Sequence, residues 1–303
     1  MLFGTSLPEL VISVTAAIKG QNSISMGNIV GSNFANLFLI IGLCAVIRPL
    51  HIKKQSRFID QPLVLLATIL LYIVTTNDGI ISNREGIAFL LFTLGYIIYN
   101  IFVAKYGKAM NNYESENDVH ENEIKKKFKN NALVQAVNKQ KSKLEEKHST
   151  LYSIIAIITG ILLLRVGGDI TVENAKIIAL ALGLSEKLIS LTIVAVGTSL
   201  PELITCYQAT KKGETDLAIG NIAGSQILNI VLILGTASVI RPIYNIIDFK
   251  DELEILMIGN LIYLFIPFID ERHRMGRLAG LLFVILYFAY MALNVLEEMN
   301  IVA

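Results

Sequence analysis

The sequence predicts an all-α polytopic membrane protein built from two inverted-topology repeats of five transmembrane helices. Three observations carry this expectation. Many segments are apolar over spanning length, two phrases recur at a fixed offset, and lysine and arginine collect in alternate loops. In the first repeat, the first helix and half of the second are expected to be missing.

The apolar segments come first. The chain has 303 residues, is 53% hydrophobic and contains no Trp. A spanning helix needs ~20 mostly apolar residues. Candidates are Ile24–Ile47, Gln61–Val74, Gly86–Val103, Leu151–Val166, Lys187–Tyr207, Leu217–Ile240, Glu254–Ile269 and Leu278–Leu296. The second, fourth and seventh are short and predict thinning of the bilayer or snorkelling flanks. Leu7–Ile18 reads as the remaining half of another helix. A soluble all-α domain is excluded because no soluble core buries so many helices that are apolar all round.

Gly4-Thr5-Ser6-Leu7-Pro8-Glu9-Leu10 returns letter for letter as Gly197-Thr198-Ser199-Leu200-Pro201-Glu202-Leu203, 193 residues later. Gly27-Asn28-Ile29-Val30-Gly31-Ser32, with Asn36 beyond it, returns as Gly220-Asn221-Ile222-Ala223-Gly224-Ser225, with Asn229 beyond it. The segments Gly4–Leu50 and Gly197–Ile243 align without a gap and are identical at 23 of 47 positions. Half two, from Thr150, holds five spans. An odd number of spans per unit forces the two units into opposite orientation. Gly197 is preceded by an apolar half-helix and a further span, whereas only three residues precede Gly4. The repeat therefore leads us to expect about 45 further residues upstream of Met1. No cleavable signal peptide is visible.

Three parts follow: an incomplete N-terminal repeat over 1–105, a cytoplasmic linker over 106–149, and a C-terminal repeat over 150–303. The linker is rich in Lys, Asn and Glu and reads as a solvated or membrane-skimming tether, with an amphipathic helix expected around Glu123–Leu144. It lacks the acidic spacing of an EF-hand loop.

Net charge is +1, so bulk charge names no partner, but its distribution does orient the chain. Nineteen of 26 Lys and Arg lie in Arg48–Arg57, Lys105–Lys147, Lys211–Lys212 and Arg272–Arg277. With alternating spans these four places share one side, which the positive-inside rule makes cytoplasmic. The C-terminus then lies outside. Lys19 is outside while its equivalent Lys212 is inside, as inversion demands. Cys44 and Cys206 sit in apolar spans and read as small packing residues, although Cys206 lies near the second motif. The four histidines, at 51, 120, 148 and 273, are all in or beside loops, so no histidine-based metal site is expected within the membrane.

Each glutamate phrase lies inside an apolar stretch, where a charge is costly and marks a functional site by default. Pro8 and Pro201 have no N–H, so the carbonyls of Gly4 and Gly197 lose their helical partners. Proline also pushes the preceding Leu7 and Leu200 out of α geometry. A helix broken at this depth survives only where its backbone is buried in protein or lines a cavity. The freed carbonyls, Thr5, Thr198, Ser6, Ser199, Glu9 and Glu202 form an all-oxygen donor set, which hard cations prefer. A capping box is the competing reading, because Ser6-x-x-Glu9 and Ser199-x-x-Glu202 fit Ser-x-x-Glu.

In the second phrase, Ser32 and Asn36 are four residues apart, as are Ser225 and Asn229, which puts hydroxyl and amide on one helical face. Gly27, Gly31, Gly220 and Gly224 allow close approach of another backbone, so helix packing with polar bridges competes with ion binding. Asn28 and Asn221 are read equally well as hinge residues or ligands. Asn33 and Gln226 are a mismatched pair expected at the periphery. Two carboxylates balance one divalent or two monovalent cations. No Lys or Arg accompanies them, which argues against an anionic substrate.

At these phrases the chain resembles the sodium/calcium exchanger branch of the calcium/cation antiporter superfamily. The resemblance implies ten helices in two inverted five-helix repeats, with alternating access at a central two-glutamate site. It assigns metal-ligand roles to Thr5, Ser6, Glu9, Ser32 and Asn36, and to Thr198, Ser199, Glu202, Ser225 and Asn229. Proton-coupled exchangers of the superfamily carry a Gly-Asn-Ala type of phrase before the glutamate, and Gly-Thr-Ser here favours sodium. The potassium-dependent branch carries Asp where this chain has Asn229. The resemblance thus implies a Ca2+/Na+ antiporter, not an enzyme, in a prokaryotic-type plasma membrane. Its partners are the bilayer and the two ions, and it has no cofactor. A proton/calcium exchanger, a non-transporting fragment and a cation channel are the alternatives.

Overall fold

The computed structural model describes residues 2–114, 149–269 and 273–299. Within these the chain forms a short turn of helix α1 (Leu2–Thr5), α2 (Leu7–Ile18), α3 (Asn22–Ile47), α4 (Ser56–Asn77) and α5 (Asn83–Glu114). The second half supplies α6 (Ser149–Leu182), α7 (Glu186–Thr198), α8 (Leu200–Lys212), α9 (Thr215–Ile240), α10 (Ile246–Ile269) and α11 (Arg277–Glu298). Two compact units are present, one from 1–93 with 164–303 and the other from 94–163. The first unit contains both copies of both phrases. The expected amphipathic helix around Glu123–Leu144 lies outside the described residues.

Six of these helices, α3, α4, the first part of α5, α9, α10 and α11, are long and apolar enough to cross a membrane. The α7–α8 pair passes the same test together, bent by 46°. The expectation of short spans is corrected for two of the three segments. The turns Ser56–Asp60 and Ile246–Phe249, the latter followed by the polar Lys250–Glu252, continue the helices, so α4 reaches 22 residues and α10 reaches 24. The segment from Leu151 belongs to a helix of 34 residues. For α4 and α10 no thinning of the bilayer is then required, since ~20 residues span it.

The core is the pair α3 and α9. In each, 83% of the apolar window is buried, against 17% in α11, whose outward leucines and phenylalanines match a lipid-facing helix. Phe34, Met26 and Ile29 of α3 and Ile222, Ile227 and Ile230 of α9 are almost fully enclosed. Close approach explains part of this. A Cβ on Gly27 would lie 1.8 Å from Ser190 Oγ, and one on Gly31 would lie 2.5 Å from the Leu191 carbonyl oxygen. Only glycine lets α7 pass so near α3. The twin position differs: a Cβ on Gly220 would meet nothing within 4 Å. The expectation of close approach therefore holds at Gly27 and Gly31 and is corrected at Gly220.

Two antiparallel links tie the repeats together. Strand β1 (Leu50–His51), just after α3, pairs with β2 (Arg274–Met275), just before α11, with Leu50 opposite Met275. Ile243, just after α9, pairs with Ile81, just before α5. Leu50 and Ile243 occupy the same place in the two repeats, so the links are twins at opposite ends of the inverted bundle.

Candidate functional site

The site is built where the two glutamate phrases meet. The break in each falls at the serine: Ser6 has φ −87° and ψ 9°, and Ser199 has φ −83° and ψ 3°. Leu7 and Leu200 already open α2 and α8, which corrects the expectation that the proline would displace them. Proline is well tolerated in a first helical turn, where its missing N–H is an orphan in any case.

Ser6 and Ser199 occupy N-cap positions, yet neither side chain caps its own helix. Their hydroxyls are spent across the repeats. Ser6 Oγ donates to Glu202 Oε1 at 3.2 Å, and Ser199 Oγ donates to Glu9 Oε1 at 3.3 Å. The capping-box alternative is thus not what forms. Ser225 Oγ donates to Glu202 Oε1 at 3.3 Å and lies 3.0 Å from Ser6 Oγ. Asn36 Nδ2 donates to Ser225 Oγ at 3.4 Å, and Ser32 Oγ lies 3.3 Å from Thr198 Oγ1. Thr5 also lies within hydrogen-bonding reach of the Glu202 carboxyl. Glu9 and Glu202 are fully enclosed, as are Ser32, Ser225, Asn36 and Asn229.

The ten sequence-derived residues do not all converge equally. Asn229 Nδ2 donates to Asn33 Oδ1 at 3.0 Å, a bond across the repeats that engages neither glutamate. Asn36 and Asn229 sit in twin π-helical turns, Ala35–Ile40 and Asn229–Leu234. Such turns are rare and concentrate at functional sites.

Ten buried carboxylate or amide oxygens of the described residues have no hydrogen-bond donor, and four of them lie in the expected site: Glu9 Oε2, Glu202 Oε2, Asn36 Oδ1 and Asn229 Oδ1. An unpaired buried polar atom costs about 1–3 kcal/mol. These four come two from each repeat, one carboxylate and one amide in each. A hard cation satisfies oxygens of this kind directly. Among the described residues, no group of three or more His, Cys, Asp and Glu gathers. The donor chemistry is therefore carboxylate, hydroxyl and amide oxygen.

The ambiguous asparagines are now placed. Asn28 Nδ2 donates to the Glu9 carbonyl oxygen (3.3 Å) and to Ser13 Oγ (2.9 Å), while Thr198 Oγ1 donates to Asn28 Oδ1 (3.1 Å). Asn28 thus ties α3 to the glutamate helix of its own repeat and to the threonine of the other. Asn221 Nδ2 contacts Cys206 Sγ at 3.6 Å, and its Oδ1 has no partner. Sequence reasoning missed Ser13, which stands one helical turn beyond Glu9 and where Cys206 stands in repeat two. That i+4 spacing was the available signal. Asn33 is not peripheral, because it bridges Asn229 to the Gln226 carbonyl. The Gln226 side chain lines a cavity with Gln61, Asn260 and Tyr263, with room for about one water molecule. At the far end of α2 from Glu9, Lys19 binds Asp169 (2.9 Å) and Glu173 (3.1 Å), hydrogen bonds that raise its ammonium above the ordinary lysine value.

An inverted-repeat helical bundle that brings two buried carboxylates together has the architecture of a secondary cation transporter. The sodium/calcium exchanger protein family matches residues 2–103 and 152–296, and the chain belongs to that family. It is 30% identical over 291 residues to the putative antiporter CaxA of Alkalimonas amylolytica, covering 95% of this chain and 83% of that one. It is 33% identical over 290 residues to the uncharacterized membrane protein MJ0091 of Methanocaldococcus jannaschii, covering 95% and 82%. The sodium/calcium exchanger MaX1 of Methanosarcina acetivorans is 28% identical over 261 residues, covering 79% and 71%. A solved structure of the sodium-calcium exchanger NCX_Mj, soaked with Na+ and Sr2+, superposes with a TM-score of 0.63 at 29% identity, over 96% of this chain and 84% of that one. The chain is accordingly a cation antiporter of the sodium/calcium exchanger type and an integral membrane protein.

Proposed function

We propose that this chain exchanges Ca2+ for Na+ by alternating access at one central site. Glu9 and Glu202 supply the charge. Thr5, Ser6, Ser32 and Asn36, with Thr198, Ser199, Ser225 and Asn229, supply neutral oxygens. The observation that carries the reading is that, in each repeat, the glutamate and the asparagine of the site both keep a buried oxygen without a hydrogen-bond donor. A charge of −2 is neutralised by one Ca2+ or by two Na+, so the two ions compete for the same oxygens. Competition of this kind is what couples their fluxes.

The reading extends to topology. The basic loops at Arg48–Arg57 and Lys211–Lys212 face the cytoplasm of a prokaryotic-type cell, as does the linker over 106–149. Exchange is electrogenic if more than two Na+ move per Ca2+. The test is calcium uptake into proteoliposomes under an outward sodium gradient with no pH gradient. Sodium-dependent uptake is expected. Uptake driven by a pH gradient alone would replace sodium with protons as the coupling ion, and current without counter-ion would make the protein a channel.

A further inference from the structure

Two arginines outside the site are twins. Arg48 ends α3 and Arg241 ends α9, each within the shared sequence Val-Ile-Arg-Pro. Their backbones match, with φ −148° and ψ 129° at Arg48 and φ −151° and ψ 126° at Arg241. Each guanidinium lies on the glycine that follows the glutamate helix of the opposite repeat. A Cβ on Gly20, after α2, would lie 3.0 Å from both Nη atoms of Arg241. A Cβ on Gly213, after α8, would lie 2.8 Å from Nη1 of Arg48. Both glycines are left-handed, with φ +75° and +83°, so the helix ends are twins as well.

The two contacts are not equal. Arg241 Nη1 donates to the Ile18 carbonyl oxygen at 3.0 Å. The Arg48 guanidinium makes no hydrogen bond with the described residues, although it packs as closely on Gly213. The last carbonyls of a helix lack intrahelical donors and carry the negative end of its dipole, so a cation placed there stabilises the helix end. The other end of each helix carries the serine and glutamate of the ion site.

We infer that Arg241 and Arg48 are a matched pair of positioning residues, each clamping the outer end of the opposite repeat's glutamate helix, and that they engage in turn. Inversion sets the two clamps on opposite faces of the membrane. One is bonded and the other slack in a single structure, as expected if engagement follows which face is open. The clamps act on the site only through α2 and α8. The inference therefore rests on the two-glutamate reading of that site.

The test uses the full chain reconstituted in liposomes of known orientation, with the half-saturating Ca2+ concentration measured separately at each face. Arg241→Ala is expected to shift that concentration roughly two- to fivefold at one face, and Arg48→Ala by a similar factor at the other, the size expected of one charge at a helix end. Arg→Lys at either position should recover part of the shift. Equal changes at both faces, or no change from either variant, overturn the pairing, because a merely structural role has no preferred face. Amide hydrogen exchange separates this from failure of the transport reading. Arg241→Ala should speed exchange at the Lys19 and Gly20 amides even in a preparation that moves no calcium, and an unchanged rate there overturns the clamp.

Discussion

Ser199 of one repeat donates its hydroxyl to Glu9 of the other at 3.3 Å, and the bond is returned by Ser6 to Glu202. The site is therefore not two half-sites side by side. Each carboxylate is oriented by a residue on the opposite half, so a shift of one repeat against the other alters both carboxylates together. Under the proposed function, this links a conformational change to affinity for the ion.

Glu9→Gln and Glu202→Gln each remove one of the two charges while keeping the shape. With −1 left in the site, a divalent cation is no longer balanced, and removing one partner of a buried charge pair costs about 3–5 kcal/mol. Sodium-driven calcium uptake should fall to the background of empty liposomes in either variant. Wild-type uptake in one of them would show that its glutamate is not a ligand.

Ser6→Ala and Ser199→Ala test the crossed bonds. A hydrogen bond to a charged group contributes about 1.5–3 kcal/mol, so apparent calcium affinity should drop roughly tenfold or more. If the serines capped their own helices, the loss would appear instead as a lower unfolding temperature with affinity unchanged. Both quantities are read from one reconstituted preparation, by isotope uptake and by thermal unfolding.

Much of this was legible before any coordinates. A repeated glutamate between a proline and an apolar run has few physical explanations, and the spacing of Ser32 and Asn36 marks an inward helical face. What the sequence could not reveal was who binds whom. The phrase Ser-x-x-Glu is the same whether the serine turns to its own helix or across the interface, since that choice depends on the partner helix. The role of Asn33 was hidden for the same reason: its partner Asn229 is remote in sequence and its own twin is a glutamine. The flanks of α4 and α10 were misjudged because polar residues such as Ser56 and Asp60, bonded to each other at 3.0 Å, continue a helix that hydropathy ends.

Gly27 and Gly220 are twins in sequence but not in surroundings. Gly27→Ala forces a methyl group against Ser190, and overpacking of this kind costs about 1–3 kcal/mol. Gly220→Ala meets open space and should be near neutral. Thermal unfolding in detergent compares the two directly. Equal destabilisation would mean that the α3–α7 contact is not as close as the geometry indicates.

Asn229→Asp adds a third carboxylate to a centre that now holds two. The charge rises to −3, which one Ca2+ leaves unbalanced by one, so a further monovalent cation or a proton has to accompany calcium. Uptake in this variant should become dependent on pH or on added K+, whereas the wild type should show no stimulation by K+. Flux measured across pH 6 to 8, with and without K+, decides the matter, and an unchanged profile would place Asn229 outside the charge balance of the site.

Lys187 of α7 pairs with Glu252 of α10 at 2.8 Å, away from the ion site. Its ammonium also donates to the Asp248 carbonyl and lies 5.2 Å from the centre of the Phe249 ring. The Glu252 side chain is only 4% exposed, and its Oε2 has no other partner. Lys187→Met therefore leaves an unpaired buried carboxylate and should cost about 3–5 kcal/mol of stability. The double variant Lys187→Met with Glu252→Gln removes the stranded charge and should regain much of that loss. Thermal unfolding of the wild type, both single variants and the double variant measures the coupling. Additive losses would mean that the two residues support the fold independently, and that α7 is held against α10 by packing rather than by this ion pair.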